Sequence, residues 1–576
     1  MKRAVPVKAN AELELYVRTI YSLLRSSGEV DVRAFEEAHA YSDSSLHEGA
    51  LSPRPDLSAF AYAAGRLPGC IIEVKRVVLG QSHELFEAAG LQVREWDVVK
   101  TRGRRRPLRY NGKDTLAVFI ASASDIDDLV PIVTAYQIEW NKMHALLGAT
   151  KPRRRAPSRE ELAALLGVGD GDVDLLMTAL GGGERAEAGL LALCKRPMKL
   201  KIRMLASSHS QYQRAAQRWW SGVEPVYMRG DEPKPTKVRK TQDRSHRPPV
   251  YFVSSNTHAI ANLLGGFARA ERESIAEWAI RTDIEGLAAD VRAAQDKGES
   301  SALPLVYYLL RHWIHADPRS ERMRRVRAFE AAGGVHHLSA PGNIDIDAQL
   351  IELHKLTRGR VDPRLQMPGL ELLAKSNATI LNIDYPLGMA AYHLLSRVGQ
   401  GVGEVRGVYI MGKAATLNAR VGDVMLSNVV YDEHSQDTIF FTNAFTAADV
   451  SPHLQYGSVL DNQKAVTVRS AFLQNKSYMT NLYSEGYTVL EMEAGPFLAS
   501  VYELTNPRRV PQGEILNLAG ETPFDVGIMH YASDTPYSRR QSLLSKSLSY
   551  FGVDATYGCA IAIVRRIFEQ EIARLR

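Results

Sequence analysis

Cysteine is scarce in this chain of 576 residues: it occurs three times, at Cys70, Cys194 and Cys559, and never at the spacing of metal ligands or redox pairs. This scarcity excludes a disulfide scaffold and fits a reducing compartment. No apolar run approaches the roughly 18 residues that a membrane helix needs. The basic N-terminus, MKRAVPVKANAELELYVRTIYSLL, has no continuous apolar core and no small-residue cleavage site. We therefore expect a cytoplasmic protein.

Signatures of metal sites and of common nucleotide-binding loops are also missing. No P-loop, GxSxG or GxGxxG motif lies between a predicted strand and a predicted helix. His312 and His315 lie three residues apart on a predicted helix, but no carboxylate or thiolate set follows at a zinc-ligand spacing. We expect neither a metal nor an organic cofactor.

The net charge of +6 is concentrated in one segment. Residues 151–250 carry 20 basic and 11 acidic side chains, whereas the rest of the chain is close to neutral or slightly acidic. A local excess of this kind is typical of a linker or a docking patch. Binding of a nucleic acid through 195–249 therefore remains an alternative.

Composition and periodicity divide the chain into three parts. Residues 1–150 alternate predicted helices and strands and form an α/β or α+β unit. Residues 151–249 form a helical, basic segment, in which Ser158 and Glu161 match a capping box and 228–249 read as a flexible linker. Residues 250–576 alternate apolar strands with helices, which predicts an α/β domain.

Small and polar residues follow several predicted strands of the C-terminal part. Ligands of open α/β sheets bind where such loops leave the strand ends. We therefore predict a site in the loops at 254–258, 411–418, 491–495 and 531–535. The candidate residues in them are Ser254, Asn256, His258, Gly412, Lys413, Glu491, Glu493, Ser533 and Asp534.

Three of these segments carry a family resemblance. VYIMGKAATLNARVGDVMLSNVVYDEHS at 408–435, YTVLEMEAGPFLASVYE at 487–503 and VGIMHYASD at 526–534 occur in the order of the nucleoside phosphorylase/nucleosidase superfamily. Each segment also places its motif at a predicted strand end. The chain resembles this superfamily best over roughly 377–576, and residues 1–249 resemble no family.

The resemblance implies a phosphorylase-like α/β domain with a mixed central sheet flanked by helices, spanning 250–576. A mostly helical insertion would occupy 266–376. It also implies a purine nucleoside or nucleotide as substrate, cleavage of its N-ribosidic bond, phosphate as the one co-substrate to consider, and a homo-oligomer.

Roles for individual residues follow from the same resemblance. Asp534 resembles the acid that protonates the leaving base, and Ser533 supports it. Glu493 resembles the carboxylate that holds the ribose hydroxyls, Met492 packs against the sugar, and Glu491 shapes the same loop. Each also has a structural alternative: a helix cap for Asp534, an ion pair with an arginine for Glu493, and a core position for Met492.

The turn predicted at 412–416 is small enough for a ligand to approach the backbone at Gly412 and Ala414. Lys413 stands where the family has a small residue and could hold a substrate phosphate. Ile410 replaces the arginine with which phosphorylases bind phosphate, which favours hydrolysis over phosphorolysis.

The first loop of the domain, SSNTHAIAN, has no counterpart of the glutamate with which nucleosidases activate water. It offers Asn256 and His258 instead. We therefore prefer two hypotheses to nucleic-acid binding. One is an N-ribosidase, and the other is a sensor that binds a nucleoside or nucleotide without turnover.

Overall fold

A computed structural model describes residues 11–101, 103, 106–148, 155–205, 207–228, 247–296, 298–534 and 550–576. Within these residues the chain forms two sheets with helices packed around them. We name residues 11–205 the small-sheet unit and residues 207–576 the large-sheet unit. The linker predicted at 228–249 falls largely outside the described residues. None of the described helices combines the length and apolarity needed to cross a bilayer.

The elements of the small-sheet unit are, in chain order, α1 (Ala11–Ser26), β1 (Val30–Asp31), α2 (Arg33–Tyr41), α3 (Leu57–Ala64), β2 (Arg76–Gly80), α4 (His83–Ala88), β3 (Asp97–Val99), β4 (Leu108–Tyr110), β5 (Thr115–Phe119), α5 (Ala123–Gly148), α6 (Arg159–Leu166), α7 (Asp170–Ala179), α8 (Gly183–Lys195) and β6 (Lys201–Met204). Its described strands form the sheet β1-β6-β2-β5-β4-β3, in which β6, β2 and β5 run parallel. The sheet thus takes one strand from beyond residue 150, the boundary that the sequence predicts.

The capping box predicted at the start of α6 is present. The Ser158 hydroxyl accepts a hydrogen bond from the Glu161 N–H, and the Glu161 carboxylate accepts one from the Ser158 N–H. Two otherwise unpaired N–H groups are satisfied in this way, which fixes where the helix begins.

The elements of the large-sheet unit are, in chain order, α9 (His209–Tyr227), β7 (Val250–Ser254), α10 (Ala259–Gly265), α11 (Phe267–Ala270), α12 (Arg272–Thr282), α13 (Ala288–Asp296), α14 (Glu299–His315), α15 (Glu321–Ala332), β8 (Val335–Leu338), β9 (Ala348–Glu352), β10 (Thr379–Ile383), α16 (Met389–Gly401), β11 (Val405–Thr416), β12 (Val424–Asp432), β13 (Asp437–Phe440), α17 (Ala447–Val450), β14 (Val459–Thr467), α18 (Lys476–Ser484), β15 (Tyr487–Glu491), α19 (Ala494–Thr505), β16 (Ile515–Asn517), β17 (Asp525–Asp534) and α20 (Tyr550–Leu575).

The described strands of this unit form one mixed sheet, in the order β16-β13-β12-β14-β15-β11-β7-β10-β9-β8, with β17 paired to β11 and β12. The central strands β7 and β10 are mostly apolar and buried at every position, as strands covered on both faces require. Helices α10, α12, α14 and α20 cover one face of the sheet, and α9, α16 and α19 cover the other. The predicted mixed α/β class is confirmed.

The two units share a buried boundary. Phe472 and Leu473 of the large-sheet unit belong to the hydrophobic core of the small-sheet unit. The hydroxyl groups of Ser122 and Ser124, just after β5, form hydrogen bonds to the large-sheet unit. The carboxyl edge of the small sheet therefore faces the large-sheet unit.

Candidate site at the carboxyl edge of the large sheet

Four adjacent strands of the large sheet, β10, β7, β11 and β17, run parallel and end at one edge. Ser254, the last residue of β7, pairs with Ile383 of β10 on one side and with Ile410 of β11 on the other. On β11, Gly412 pairs with His530 of β17. The start of the predicted loop after β7 therefore lies along the same edge as the GKAAT segment. Residues 531–534, which the sequence places in a loop, continue β17 and end at this edge, and residue 535 lies outside the described residues.

The sequence predicts a turn at 412–416, and this prediction is wrong. The segment continues β11 to Thr416, with an irregularity between Ala414 and Ala415. Beyond this point β11 pairs with the antiparallel strand β15, so its backbone groups stay hydrogen-bonded in the sheet. The small residues permit a change of partner strand rather than a reversal of the chain.

This change of partner brings the ends of β15 and β17 to either side of β11. Ala415 pairs with Leu490 of β15 and with Asp534 of β17. The Ser533 hydroxyl donates to the Ala414 carbonyl oxygen at 3.3 Å. The backbone of Asp534 is thus placed at this edge, whereas its side chain lies outside the described part of the structure.

Glu491 is buried, and hydrogen bonds occupy its carboxyl group. Its Oε2 accepts the N–H groups of Glu493 at 2.6 Å and of Ala494 at 2.7 Å, and its Oε1 accepts the Thr467 hydroxyl. Burial raises the pKa of Glu491 to about 7, against the lowering effect of these donors. The side chain thus fixes the junction between β15 and α19.

His530 lies beside this junction, with its Nε2 3.8 Å from the Glu491 Oε2. The ring is buried, neither ring nitrogen has a hydrogen-bond partner, and burial lowers the pKa of His530 to about 4. The imidazole is therefore neutral at pH 7.

Met492 and Glu493 follow at the start of α19 and are half-buried. The Met492 carbonyl oxygen accepts the N–H of Gly388 at 3.0 Å, and its side chain packs against a small apolar cluster that includes Leu490. Glu493 is the N-cap residue of α19, but its side chain makes no capping hydrogen bond. The Glu493 carboxylate is thus not used to start the helix.

Asn256 and His258 flank the start of α10. The Asn256 Oδ1 accepts the N–H groups of His258 at 3.1 Å and of Ala259 at 2.6 Å, which uses one side-chain oxygen to cap the helix. The Asn256 side chain also reaches the Tyr385 hydroxyl. The His258 ring lies 6.4 Å from the Tyr557 ring on α20, measured between centroids.

Sequence reasoning missed two residues at this edge, Asp384 and Tyr385, which follow β10. The Tyr385 ring lies over Gly412, where an added Cβ would be 3.4 Å from Tyr385 Cε1. Its hydroxyl is 3.3 Å from that of Tyr531, and burial raises the pKa of Tyr385 well above its usual value. Asp384 is buried and its Oδ1 accepts the Tyr385 N–H at 3.1 Å. The apolar run at 379–383, ending in an aspartate, is the signal that could have revealed both.

The remaining predicted residue, Lys413, is exposed on β11. Within the described residues, no group of three or more His, Cys, Asp or Glu side chains is arranged to hold a metal ion. Two surface recesses, of about 250 and 390 Å³, are lined by other segments: one by Arg18, Glu433 and Arg469, the other by His453 and Arg565. Neither contains a predicted site residue.

The chain is thus a mixed α/β protein whose polar strand ends converge at one edge of the larger sheet. It belongs to a family of unknown function, DUF6909, whose model matches residues 32–569. None of the curated proteins compared with the chain matches it.

Several solved structures are similar to parts of the chain. One is a 5′-methylthioadenosine/S-adenosylhomocysteine nucleosidase from S. pneumoniae, 9% identical, covering 55% of this chain and 98% of its own, with a TM-score of 0.29. Another is such a nucleosidase from Colwellia psychrerythraea with adenine bound, 12% identical over 34% of this chain and 79% of its own, with a TM-score of 0.24. A third is uridine phosphorylase from Schistosoma mansoni with uracil, 11% identical over 31% and 69%, with a TM-score of 0.23.

Proposed function

We propose that the protein cleaves the N-ribosidic bond of a purine nucleoside or nucleotide, by hydrolysis rather than phosphorolysis, and that the site is the carboxyl edge of the large sheet. One observation carries the proposal. The strand ends Ser533–Asp534 and Met492–Glu493 lie on either side of the Ala414–Ala415 segment of β11. An acid and a second carboxylate on two strand ends at one edge match the needs of this reaction.

Those needs follow from the charge that develops during bond cleavage. The sugar becomes an oxocarbenium-like cation, as in glycoside hydrolysis, and the base leaves as a good leaving group only when a ring nitrogen is protonated. A carboxylic acid at Asp534 would supply this proton, an effect worth about 10²–10⁴-fold in rate. The carboxylate of Glu493 would hold the ribose hydroxyls and stabilise the cation.

Hydrolysis is favoured because the edge offers no arginine at the position of Ile410. That side chain is 3% exposed and packs in the hydrophobic core, so this position contributes nothing to phosphate binding. A carboxylate is available in the neighbouring loop, since Asp384 follows β10 next to Ser255. We assign to Asp384 the activation of water, which the sequence of the first loop leaves unfilled.

A sensor that binds a nucleoside or nucleotide without turnover is the second candidate. It is favoured by the first loop, SSNTHAIAN, which contains no carboxylate that could activate water. The Tyr385 ring over Gly412 also supplies a stacking surface that binding without catalysis would exploit.

Incubation with a panel of purine nucleosides and their 5′-monophosphates, with and without phosphate, separates these functions. Chromatography detects the free base. Three proteins are compared: the wild type, Asp534→Asn, and Glu521→Gln, which removes an exposed carboxylate from the connection between β16 and β17.

The proposal predicts phosphate-independent release of base by the wild type and Glu521→Gln, and loss of release in Asp534→Asn. Binding without release by all three proteins would establish the sensor. Release that requires phosphate would contradict hydrolysis.

A further inference from the structure

A serine of the small-sheet unit forms a hydrogen-bonded chain into the large-sheet unit. The Ser124 Oγ lies 2.9 Å from His434 Nε2, and His434 Nδ1 lies 2.8 Å from Asp432 Oδ1. The Ser124 Oγ also accepts the N–H of Met389, the first residue of α16, at 2.9 Å. Because a carboxylate oxygen can only accept, the Nδ1–H donates to Asp432; in the neutral ring Nε2 is then an acceptor, and the serine O–H donates to it.

The order Ser–His–Asp is that of a hydrolase triad, but the surroundings of Ser124 rule out this role. The serine is fully buried, and the His434 side chain is 7% exposed. An added Cβ on Gly388 would overlap the Ser124 Oγ. A nucleophile needs space for an acyl carbon within about 3 Å of its oxygen, and here the backbone of the next unit fills that space.

The backbone that Ser124 contacts belongs to the candidate site. Gly388 has φ 50° and ψ −121°, a conformation open to glycine and costly for other residues. Its N–H donates to the Met492 carbonyl oxygen at 3.0 Å. The 384–388 loop, which carries Asp384 and Tyr385, is therefore held between Ser124 on one side and the Met492–Glu493 junction on the other.

Asp432 links the same chain to α19 by a second route. An added Cβ on Gly495 would be 2.6 Å from the Asp432 Cβ, and the Gly495 N–H donates to the Thr467 hydroxyl, which donates to Glu491. Burial disfavours the charged form of Asp432, but the contacts with His434 and Ser435 hold the pKa of its carboxyl below its usual value. The carboxylate is thus ionised and links the contact at Gly388 and Met389 to the start of α19.

We propose that Ser124 is a positioning residue: the small-sheet unit uses it, through His434 and Asp432, to hold the 384–388 loop in the conformation that binds ligand. This inference rests on the proposed function for its consequence on catalysis, but not for its structural part. It gives the small-sheet unit a positioning role in the reaction.

Two full-length variants test the inference, together with a conservative variant and a matched control. Ser124→Ala removes the hydroxyl, and His434→Ala removes its partner without altering the tightly packed position 124. Ser124→Cys retains a donor and acceptor of similar size. Glu14→Ala removes a different contact between the units, the 3.4 Å hydrogen bond from Gln436.

The first measurement needs no activity: amide hydrogen exchange of the 384–390 segment. Loss of one buried hydrogen bond corresponds to about a tenfold change. We expect exchange at Gly388 and Met389 to rise about tenfold in Ser124→Ala and His434→Ala, to recover in Ser124→Cys, and to stay at the wild-type rate in Glu14→Ala. Unchanged exchange in both alanine variants would overturn the inference.

The second measurement is the KM and kcat of base release. We expect KM to rise about tenfold in Ser124→Ala, the effect of one lost hydrogen bond, with a smaller change in kcat, and KM to recover in Ser124→Cys. If the wild type neither binds nor cleaves any compound of the panel, the proposed function fails while the exchange result still decides the positioning role. Labelling of Ser124 by a fluorophosphonate in the folded protein would show an accessible nucleophile and contradict the inference.

Discussion

The carboxyl edges of the two sheets use their polar side chains differently. At the edge of the small sheet, Ser122 and Ser124 are fully buried, and their hydroxyl groups bond to the other unit. At the edge of the large sheet, Glu493 and Ser533 are half-buried. A buried polar group must be paired to avoid the cost of desolvation, whereas a partly exposed group at a strand end can exchange water for a ligand. The polar groups at the edge of the small sheet therefore stabilise the contact between the two units. The edge of the large sheet is where we place the chemistry.

The sharpest test of this comparison uses two glutamates that are two residues apart. Glu493→Gln removes a half-buried carboxylate that makes no capping hydrogen bond, so we expect base release to fall about 10²–10³-fold, as for loss of a group that stabilises transition-state charge. The unfolding midpoint should fall less than in Glu491→Gln, because Glu493 is half-buried whereas Glu491 is buried and accepts three hydrogen bonds. Glu491→Gln serves as the contrast and should lower the midpoint. Equal stability losses in both variants would break the distinction between the two roles.

A second test concerns pH and the buried imidazole beside Glu491. Because burial lowers the pKa of His530 to about 4 from 6.5, its contribution to stability is complete above pH 6.5 and is lost as the pH falls towards 4. We expect the free energy of unfolding of the wild type, minus that of His530→Leu, to fall by about 3 kcal/mol between pH 7 and pH 4.

The quantity to measure by urea unfolding is the difference in free energy of unfolding between the wild type and His530→Leu. Glu330 and Glu491, whose pKa values burial raises to about 7, change stability in the opposite direction, since their contributions are complete below pH 4.5 and are lost as the pH rises through 7. Because Glu330 and Glu491 are present in both proteins, their contributions cancel in the difference between the two free energies of unfolding. A difference that does not vary with pH would show that His530 is not held neutral by burial.

A third test probes the close packing between the start of α19 and Asp432. Gly495→Ala places a methyl group 2.6 Å from the Asp432 Cβ and 2.9 Å from the Thr467 Oγ1, so we expect a loss of about 2 kcal/mol in the free energy of unfolding. Gly28→Ala is the control, because an added Cβ there meets no atom within 4 Å. If alanine is tolerated at both positions, the start of α19 is not packed closely against Asp432.

The smallest expected effect is at Gly412, the residue that the sequence places in a turn. An added Cβ would be 3.4 Å from the Tyr385 ring, an ordinary van der Waals contact, and the position is in a strand. We expect Gly412→Ala to change the free energy of unfolding by no more than about 0.5 kcal/mol. A large loss of stability, measured by thermal or urea unfolding, would show that the Tyr385 ring can approach this backbone only when residue 412 has no side chain.

The sequence predicts much of the large sheet because its strands are short apolar runs that end in polar residues. Ser254, Glu491 and Ser533 are at or next to strand ends in the structure as predicted. The sequence misplaces Gly412 because small residues are typical of turns, whereas the pairing of β11 with β15 joins Ala415 to Leu490, 75 residues further along the chain. Local composition carries no information about that partner.

The chain from Ser124 to Asp432 lay beyond sequence reasoning for a related reason. Ser124 and His434 are 310 residues apart, and the sequence ASASD around Ser124 contains no motif that marks the serine. Their contact exists only because the two units pack together. The same limit applied less strictly to Asp384, whose position after an apolar run was a usable signal.

The carboxyl edge of the large sheet is the place where we expect a nucleoside to bind. Amide hydrogen exchange of Asp534→Asn, with and without adenosine or its 5′-monophosphate, tests it directly because turnover is removed. We predict slower exchange at 412–415 and 491–494 when ligand is present, and no change in α6–α8. Slower exchange confined to the recess at Arg18 and Arg469, or none anywhere, would contradict the claim.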